Sequence, residues 1–318
     1  MRVLVTGAAG FIGSHITRAL LGDGLEVVGL DDLSTGFRRN LPPTVPEWRF
    51  VEGDVRESRV CEDAMCGVSA VVHLAGRNSV PRSLAEPRAA LEVNVMGGLN
   101  LLEAARAEDV HRFVYASSSS VYGDDPSLPK VEGQLRRPLS PYAASKASFE
   151  HLALSWSMSW GLPTVGLRFF NVFGPRQNPE GDYAAVVPRF VRAALSGERP
   201  IIFGDGSFSR DFTFVGNVVH AVRLSLAAPV EAAGTVLNVA CGGRVSVLDL
   251  WNAIAQETDF DGEPHFAPAR TGDMPHSQAD ISAARRLLGF EPVVAFDEGI
   301  RQTVAWYRTQ QNGGNDDR

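Results

Sequence analysis

Tyr142 and Lys146 stand four residues apart in the run SPYAASK, a spacing that puts a phenol and an ammonium on one face of a helix. An ordinary tyrosine titrates near ~10 and is no base at neutral pH. A cation held beside it stabilises the phenolate and draws that value towards ~7. Ser117, Ser118, Ser119 and Ser120 end the short apolar run FVYAS and offer hydroxyls that could share a substrate's proton. Alone, a tyrosine and lysine at this spacing are more often structural than chemical. Their meaning depends on what comes earlier in the chain.

What comes earlier has the form of an anion cradle. The run TGAAGFIG follows an apolar strand pattern and opens a helix, with glycines at Gly7, Gly10 and Gly13 and with Phe11 and Ile12 in the first turn. Glycines allow a tight turn and let backbone N–H groups approach a pyrophosphate seated at the positive helix end. The spacing is Gly-x-x-Gly-x-x-Gly rather than Gly-x-Gly-x-x-Gly, so the strand-loop-helix context carries the signal. Asp31 ends the second predicted strand, eighteen residues after Gly13, where a carboxylate takes the adenosine ribose hydroxyls and repels a 2′-phosphate. NAD is therefore favoured, with Arg38 and Arg39 keeping NADP as the alternative. A solvated turn beside Asp32 is the plainer account of Asp31, and Asp54 in GDV lies either near the adenine or in a simple turn. An oxidised nicotinamide would join Lys146 in stabilising the phenolate.

The elements that must position these groups alternate. Strands are predicted at Arg2–Thr6, Glu26–Leu30, Arg49–Glu52, Ala70–Leu74, Phe113–Ser117 and Thr164–Arg168. Helices are predicted at Phe11–Leu21, Ala89–Ala107 and from about Pro141 to Trp160. This order argues for an α/β, doubly wound parallel sheet of Rossmann type over residues 1–168. Beyond it, Pro- and Gly-rich runs predict a smaller C-terminal substrate-binding lobe over 169–309, lending a strand at Thr235–Val239 back to the sheet. The polar stretch 310–318 reads as a disordered tail. Phe149, Leu152, Ala153, Trp156 and Trp160 recur at helical spacing and read as core packing or as an association surface.

Bulk properties narrow the partners. The 318 residues are 44% hydrophobic and 21% charged, with a net charge of −7, which disfavours nucleic acid and anionic membrane as partners. Cys61, Cys66 and Cys241 show no metal-ligand spacing and read as reduced, buried thiols. No apolar stretch approaches the ~20 residues that span a bilayer, and MRVLVTG enters a strand at once, so a cytoplasmic location is expected.

TGAAGFIGS, DDLSTG, HLAG, SSSSVYG, SPYAASK, RFFNVFGPRQ and SRDF together resemble the NAD-dependent epimerase/dehydratase family, the extended short-chain dehydrogenases. The resemblance runs from Met1 to about Tyr307. Within the family it is most similar to UDP-galactose and UDP-N-acetylglucosamine 4-epimerases, and VPRS, LPKVE and RPLSPYA particularly resemble the bacterial UDP-N-acetylglucosamine 4-epimerases of surface-polysaccharide pathways. It implies that Tyr142 is the base, that Lys146 lowers its pKa and holds the nicotinamide ribose, and that Ser118 bridges to the sugar's 4-hydroxyl, with Ser119 and Ser120 as helpers. Cofactor contacts are implied at Asp32, Val55, Leu74, Ala75 and Asn94 besides the glycine loop, Asp31 and Asp54. Substrate contacts are implied at Asn171 and Val187, with Phe203 on the uracil, Arg210 and Arg270 on the diphosphate, and Asp273 on the uridine ribose. Ser277 matches a position where a bulky Tyr excludes N-acetylated sugars. A homodimer through the helices around Ala89–Ala107 and after Tyr142 is implied as well.

The reaction expected is 4-epimerisation of a UDP-sugar. Tyr142 takes the proton of the 4-hydroxyl, NAD takes and returns the hydride at the fourth carbon, and the flat 4-keto sugar turns over between the two steps. Sugar 4,6-dehydratases carry Asp-Glu directly after the catalytic Ser or Thr, and UDP-glucuronate decarboxylases usually place a Glu two residues before the tyrosine of VYG. Here those positions are Ser119 and Ser120, without a carboxylate. UDP-glucuronate 4-epimerases remain the alternative, because they tolerate hydroxyls there. Non-catalytic NAD sensors of this fold tend to lack the Tyr or the Lys, and both are present.

Overall fold

In the computed structural model, residues 1–135, 137–180, 184–269 and 274–312 are described. Six strands come first in the chain: β1 (Arg2–Thr6), β2 (Glu26–Asp31), β3 (Trp48–Glu52), β4 (Ala70–His73), β5 (Arg112–Ser118) and β6 (Thr164–Phe169). A seventh, Thr235–Val239, returns from the C-terminal part and pairs with β6. The sheet order is Thr235–Val239, β6, β5, β4, β1, β2, β3, and every pairing is parallel. The chain reverses direction across the sheet between β1 and β4, which opens a crevice at the strands' carboxyl ends.

Both faces of this sheet are covered, so its central strands carry buried apolar side chains at consecutive rather than alternate positions. Val3 and Val5 of β1 pack with Ile16, Val114, Leu167, Val218 and Phe290 on one side. Leu4 packs with Leu30, Val71, Leu101, Phe113 and Phe149 on the other. Each such side chain contributes about 1.5–3 kcal/mol by burial. A third cluster, with Phe173, Phe190, Phe212, Phe214, Trp251 and Ile300, forms the core of the second lobe.

The helices of the first half are α1 (Phe11–Gly22), α2 (Ser58–Met65), α3 (Val80–Ala85), α4 (Pro87–Leu91), α5 (Gly98–Ala107) and α6 (Pro141–Trp160). Between α4 and α5, Glu92–Gly97 winds as a π-helix. The expected helix Ala89–Ala107 therefore contains a wider turn, of the kind that often marks a functional position. Helices α2 and α3 were absent from the sequence expectation. The α2 face of Cys61, Ala64 and Met65 is buried, but its span is too short for a clear periodicity.

Two expectations need correction, and the α6 stripe, open between core packing and an association surface, divides between buried and exposed positions. The tail does not begin at 310: a helix runs over Phe296–Asn312, because Ile300, Val304 and Tyr307 bury one face of it. Residues 313–318 lie outside the described residues. Of the cysteines only Cys61 is buried; Cys241 is partly covered and Cys66 is exposed, each as a free thiol. The aromatic stripe of α6 is not uniformly core, since Phe149 and Ala153 are buried while Trp160 is 53% exposed. Among the described residues no helix is long and apolar enough to cross a membrane.

Candidate active site

The crevice at the reversal point is a cavity of about 910 Å³ bordered by the loops after β1, β2, β4 and β5, by α6, by residues between 169 and 180, and by Ala184 and Ala185. At its floor β1 turns sharply into α1. Gly7 has φ +71°, and a Cβ there would sit 2.9 Å from Ala75 N. A Cβ at Gly13 would lie 2.0 Å from Gly7 O, and one at Gly10 3.1 Å from the same atom. The loop can close onto the helix only with glycine at 7 and 13, while the contact at 10 is tight. No side chain caps α1 at Gly10, leaving its first N–H groups for an anion. Thr6 Oγ1 accepts hydrogen bonds from Leu74 N and Ala75 N, which locks the β4 loop beside the cradle.

Asp31 is 8% exposed, and its carboxylate accepts hydrogen bonds from Ala9 N at 2.9 Å and Leu33 N at 2.8 Å. Burial pushes this carboxyl above its ordinary value, and those backbone donors pull it back. The residue is thus neither a solvated turn acid nor a free ligand. It braces the loops and still faces the cavity with lone pairs to spare. Asp32 is exposed and caps Ser34. Asp54 is paired with Arg56, whose guanidinium holds it below the usual carboxylate range. Gly10, Phe11, Ile12, Gly13, Asp32, Asp54, Val55, Leu74 and Ala75 all border the cavity. The tight glycine cradle, the bare helix end and the acid at the end of β2 fit a dinucleotide.

Asn94, in the π-turn, does not border the cavity. Its Oδ1 accepts from Arg77 N at 2.7 Å, and its Nδ2 donates to Arg77 O and to Ser145 Oγ. It joins the β4 loop to α6, and its contribution to the cleft is indirect.

The helix α6 starts where its residues dictate. Ser140 Oγ accepts from Ala143 N at 3.1 Å, and Pro141 occupies the first helical position. Tyr142 and Lys146 then share the face turned towards β5. Tyr142 is 9% exposed and, with Ser118 and Lys146, borders the cavity. Burial pushes the phenol above its ordinary value, and the Ser118 hydroxyl beside it works the other way. Lys146 Nζ donates to Ala116 O at 3.0 Å. Burial lowers this ammonium to about 8, and the Glu150 carboxylate partly offsets the effect. Ser118, Ser119 and Ser120 line the cavity, and Ser120 Oγ is buried without a hydrogen-bond partner among the described residues.

Of the expected substrate residues, Asn171 borders the cavity in a left-handed backbone conformation, φ +36°, with Nδ2 donating to Asp211 O. Val187 does not border it: the side chain is 1% exposed within the second lobe's core, and Ala184 and Ala185 hold the cavity wall instead. Phe203 ends the strand Ile201–Phe203, paired with His265–Ala267. Arg210 donates to Ser209 O and Pro275 O, and Ser277 N donates to Ser209 O at 3.0 Å. Arg210 and Ser277 thus meet through Ser209. Asp211, buried and pushed up to about 6 by burial, accepts from Cys241 N, Gly242 N and Ala279 N and holds that strip in place. Arg270 and Asp273 lie outside the described residues.

Sequence reasoning missed four site residues. Ser83 Oγ accepts from Tyr142 N at 3.1 Å. Glu150 and Arg168 form a buried ion pair beneath the serine run. Arg176 borders the cavity from the second lobe. The only available signal was charge out of place: Glu150 lies four residues past Lys146 on an otherwise apolar face, and Arg168 lies within an apolar strand.

A model of the NAD dependent epimerase/dehydratase family matches residues 3–240. The UDP-glucose 4-epimerase of Mycolicibacterium smegmatis is 42% identical, over 98% of this chain and 99% of its own. The UDP-N-acetylglucosamine 4-epimerase of Methanobrevibacter ruminantium, solved with UDP-N-acetylmuramic acid, superposes with a TM-score of 0.93 at 39% identity, covering 97% and 98% of the two chains. The UDP-glucuronic acid 4-epimerase of Bacillus cereus, solved with NAD and a fluorinated UDP-glucuronic acid, gives 0.87 at 29% identity over 98% and 100%.

Proposed function

Because the chain belongs to the NAD-dependent epimerase/dehydratase family, we propose that it interconverts the 4-epimers of UDP-hexoses, taking UDP-N-acetylglucosamine and UDP-N-acetylgalactosamine as well as UDP-glucose and UDP-galactose. The observation that carries this reading is the convergence of Ser118, Tyr142 and Lys146 on one cavity, with Lys146 buried one turn along the same helix as Tyr142. Tyr142 as phenolate would take the proton of the 4-hydroxyl through Ser118 and return it after the sugar has turned over. When bound, NAD supplies the hydride acceptor and donor at the sugar's fourth carbon. Gly7, Gly10 and Gly13 would admit its pyrophosphate, Asp31 its adenosine ribose, and Lys146 its nicotinamide ribose. Ser119 and Ser120 offer hydroxyls and no carboxylate, which argues against loss of water from the sugar, a step that needs an added acid and base.

Asn171, Phe203 and Arg210 would hold the nucleotide end, with Arg270 and Asp273 completing the grip, so the sugar can rotate without leaving. Ser277 would leave room for an N-acetyl group. Leu154, Met158 and Trp160 on α6, with Leu91 and Met96 near α4, are exposed apolar side chains. Burying them against a second copy would form a homodimer, which light scattering would reveal.

Proton NMR of the purified protein with separate UDP-N-acetylglucosamine, UDP-glucose and UDP-glucuronate tests the assignment. Growth of the 4-epimer in the first two is expected. Turnover of UDP-glucuronate alone would keep the chemistry and overturn the substrate assignment.

A further inference from the structure

The short segment that carries Asn171 into the cavity is held by unusual backbone at both ends. Asn171 has φ +36° and Arg176 has φ +65°, neither being glycine. Left-handed backbone at such residues is strained and persists where the fold over-determines it, often at ligand clamps. What the conformation at Arg176 achieves is a reach across the lobes. Its Nη1 lies 3.5 Å from Nδ1 of His15, a residue 161 positions earlier on α1. His15 Nε2 meets Pro175 O at 2.9 Å, and burial holds this imidazole down to about 4, hence neutral. A neutral ring that donates from Nε2 to a carbonyl must accept at Nδ1, so the guanidinium is aimed by one of its five N–H groups and the rest remain for another acceptor.

The charge balance at this spot is unfavourable as it stands. Arg56 and Arg77, which border the same cavity, face Asp54 and Glu86. Arg176 is half-buried, pairs with no carboxylate among the described residues, and is repelled by Arg18. Burying a cation is tolerated when an anion or a set of acceptors compensates it. The neighbouring Gln177, which borders the same cavity, has its Oε1 buried without a hydrogen-bond partner among the described residues. His15 is one helical turn from Phe11, meeting its ring edge-on at 5.9 Å, so Arg176 stands about a turn from the bare N-terminus of α1.

We propose that Arg176 is a diphosphate clamp carried by the second lobe, closing over phosphate oxygens seated at the start of α1, with His15 fixing its direction. The proposal rests on the NAD-dependent reading of the cavity given above. Two ligands carry the required chemistry: the pyrophosphate of the cofactor and the diphosphate of the nucleotide sugar. The contact with α1 makes the cofactor the expected one.

The test compares the parent protein with Arg176→Ala and Arg176→Lys, in NAD retained after desalting and in calorimetric affinity for NAD and for UDP. Loss of a charge-assisted bond predicts NAD binding weakened by about 10- to 100-fold in the alanine variant, and partial recovery in the lysine variant, which keeps the charge without the fork. Loss confined to NAD assigns the clamp to the cofactor, and loss confined to UDP assigns it to the substrate's diphosphate. Unchanged affinity for both ligands overturns it, and should the alanine variant not fold, an unchanged lysine variant does the same. Because titration reads binding without turnover, a protein that holds NAD through Arg176 yet epimerises no UDP-sugar would overturn the functional reading and leave the clamp standing.

Discussion

Arg168 meets both oxygens of the Glu150 carboxylate, Nε to Oε1 at 2.9 Å and Nη2 to Oε2 at 2.8 Å. Ser117 Oγ donates to the same Oε1 at 2.5 Å, so the tips of β5 and β6 are tied to α6 one turn beyond Lys146. The pair is almost wholly buried, with side-chain exposures of 2% and 0%. Removing one partner strands the other charge, and Glu150→Ala should lose about 3–5 kcal/mol of stability in denaturant unfolding. The double variant Glu150→Leu, Arg168→Met should lose less than the two single variants summed. Simple additivity would mean the pair is not coupled.

The Lys146 ammonium titrates at about 8 in the fold, against an ordinary 10.5. Between those values the unfolded chain binds more protons, so this residue makes stability rise with pH across that window, its burial cost applying in full below about 8. Activity runs the opposite way, since the charged ammonium is the form that supports a phenolate. We expect kcat/KM to fall as pH rises through about 8. A profile that stays level across that value would separate Lys146's charge from the reaction.

Burial raises Tyr142 away from neutrality in the absence of added positive charge. Oxidised nicotinamide should therefore lower the phenol's titration, and reduced nicotinamide should not, as read by ultraviolet difference spectra. Tyr142→Phe should abolish that signal, retain NAD and lower kcat by about 10²–10⁴-fold. Near-parental turnover in this variant would end the phenolate mechanism.

Ser277 sits against Ser209 in the strip held by Asp211. Ser277→Tyr should abolish turnover of N-acetylated UDP-sugars while sparing UDP-glucose and UDP-galactose. Equal loss on both would mean that position 277 is not a size gate.

A methyl group at Gly13 would stand 2.0 Å from Gly7 O, inside any permitted contact. Gly13→Ala should push the loop off α1 and release NAD during purification, read as nucleotide freed on denaturation. Retention of one NAD per chain in this variant would show that the loop can adjust.

Much of the site is legible in the sequence. The glycine spacing, the acid at the end of β2 and the tyrosine-lysine pair are features of single elements, and local backbone geometry decides what a single element presents. Ser140, Pro141 and the four-residue spacing suffice to place two side chains on one helical face. Strand and helix order follow from periodicity in the same way, which is why α6 and the returning strand Thr235–Val239 fall where expected.

Contacts across the chain were not legible. Val187 has the apolar character of a pocket wall, yet the helix Val186–Leu195 turns it into the lobe's core and leaves the wall to Ala184 and Ala185. Nothing local shows that Glu150 would meet Arg168, or that Arg176 would reach His15.

The sequence by itself determined the order of elements, the dinucleotide cradle and the phenol-ammonium pair, because each depends on residues within a few positions of one another. Only the tertiary structure decided that Ser118 and Tyr142 border one cavity, that a buried ion pair braces the serine run, and that the second lobe extends a cation towards α1. Those relations depend on sheet register and on how two cores pack, and burial then sets the charge each group can carry. Residues 161 positions apart acquire a shared chemistry only when packing has brought them together.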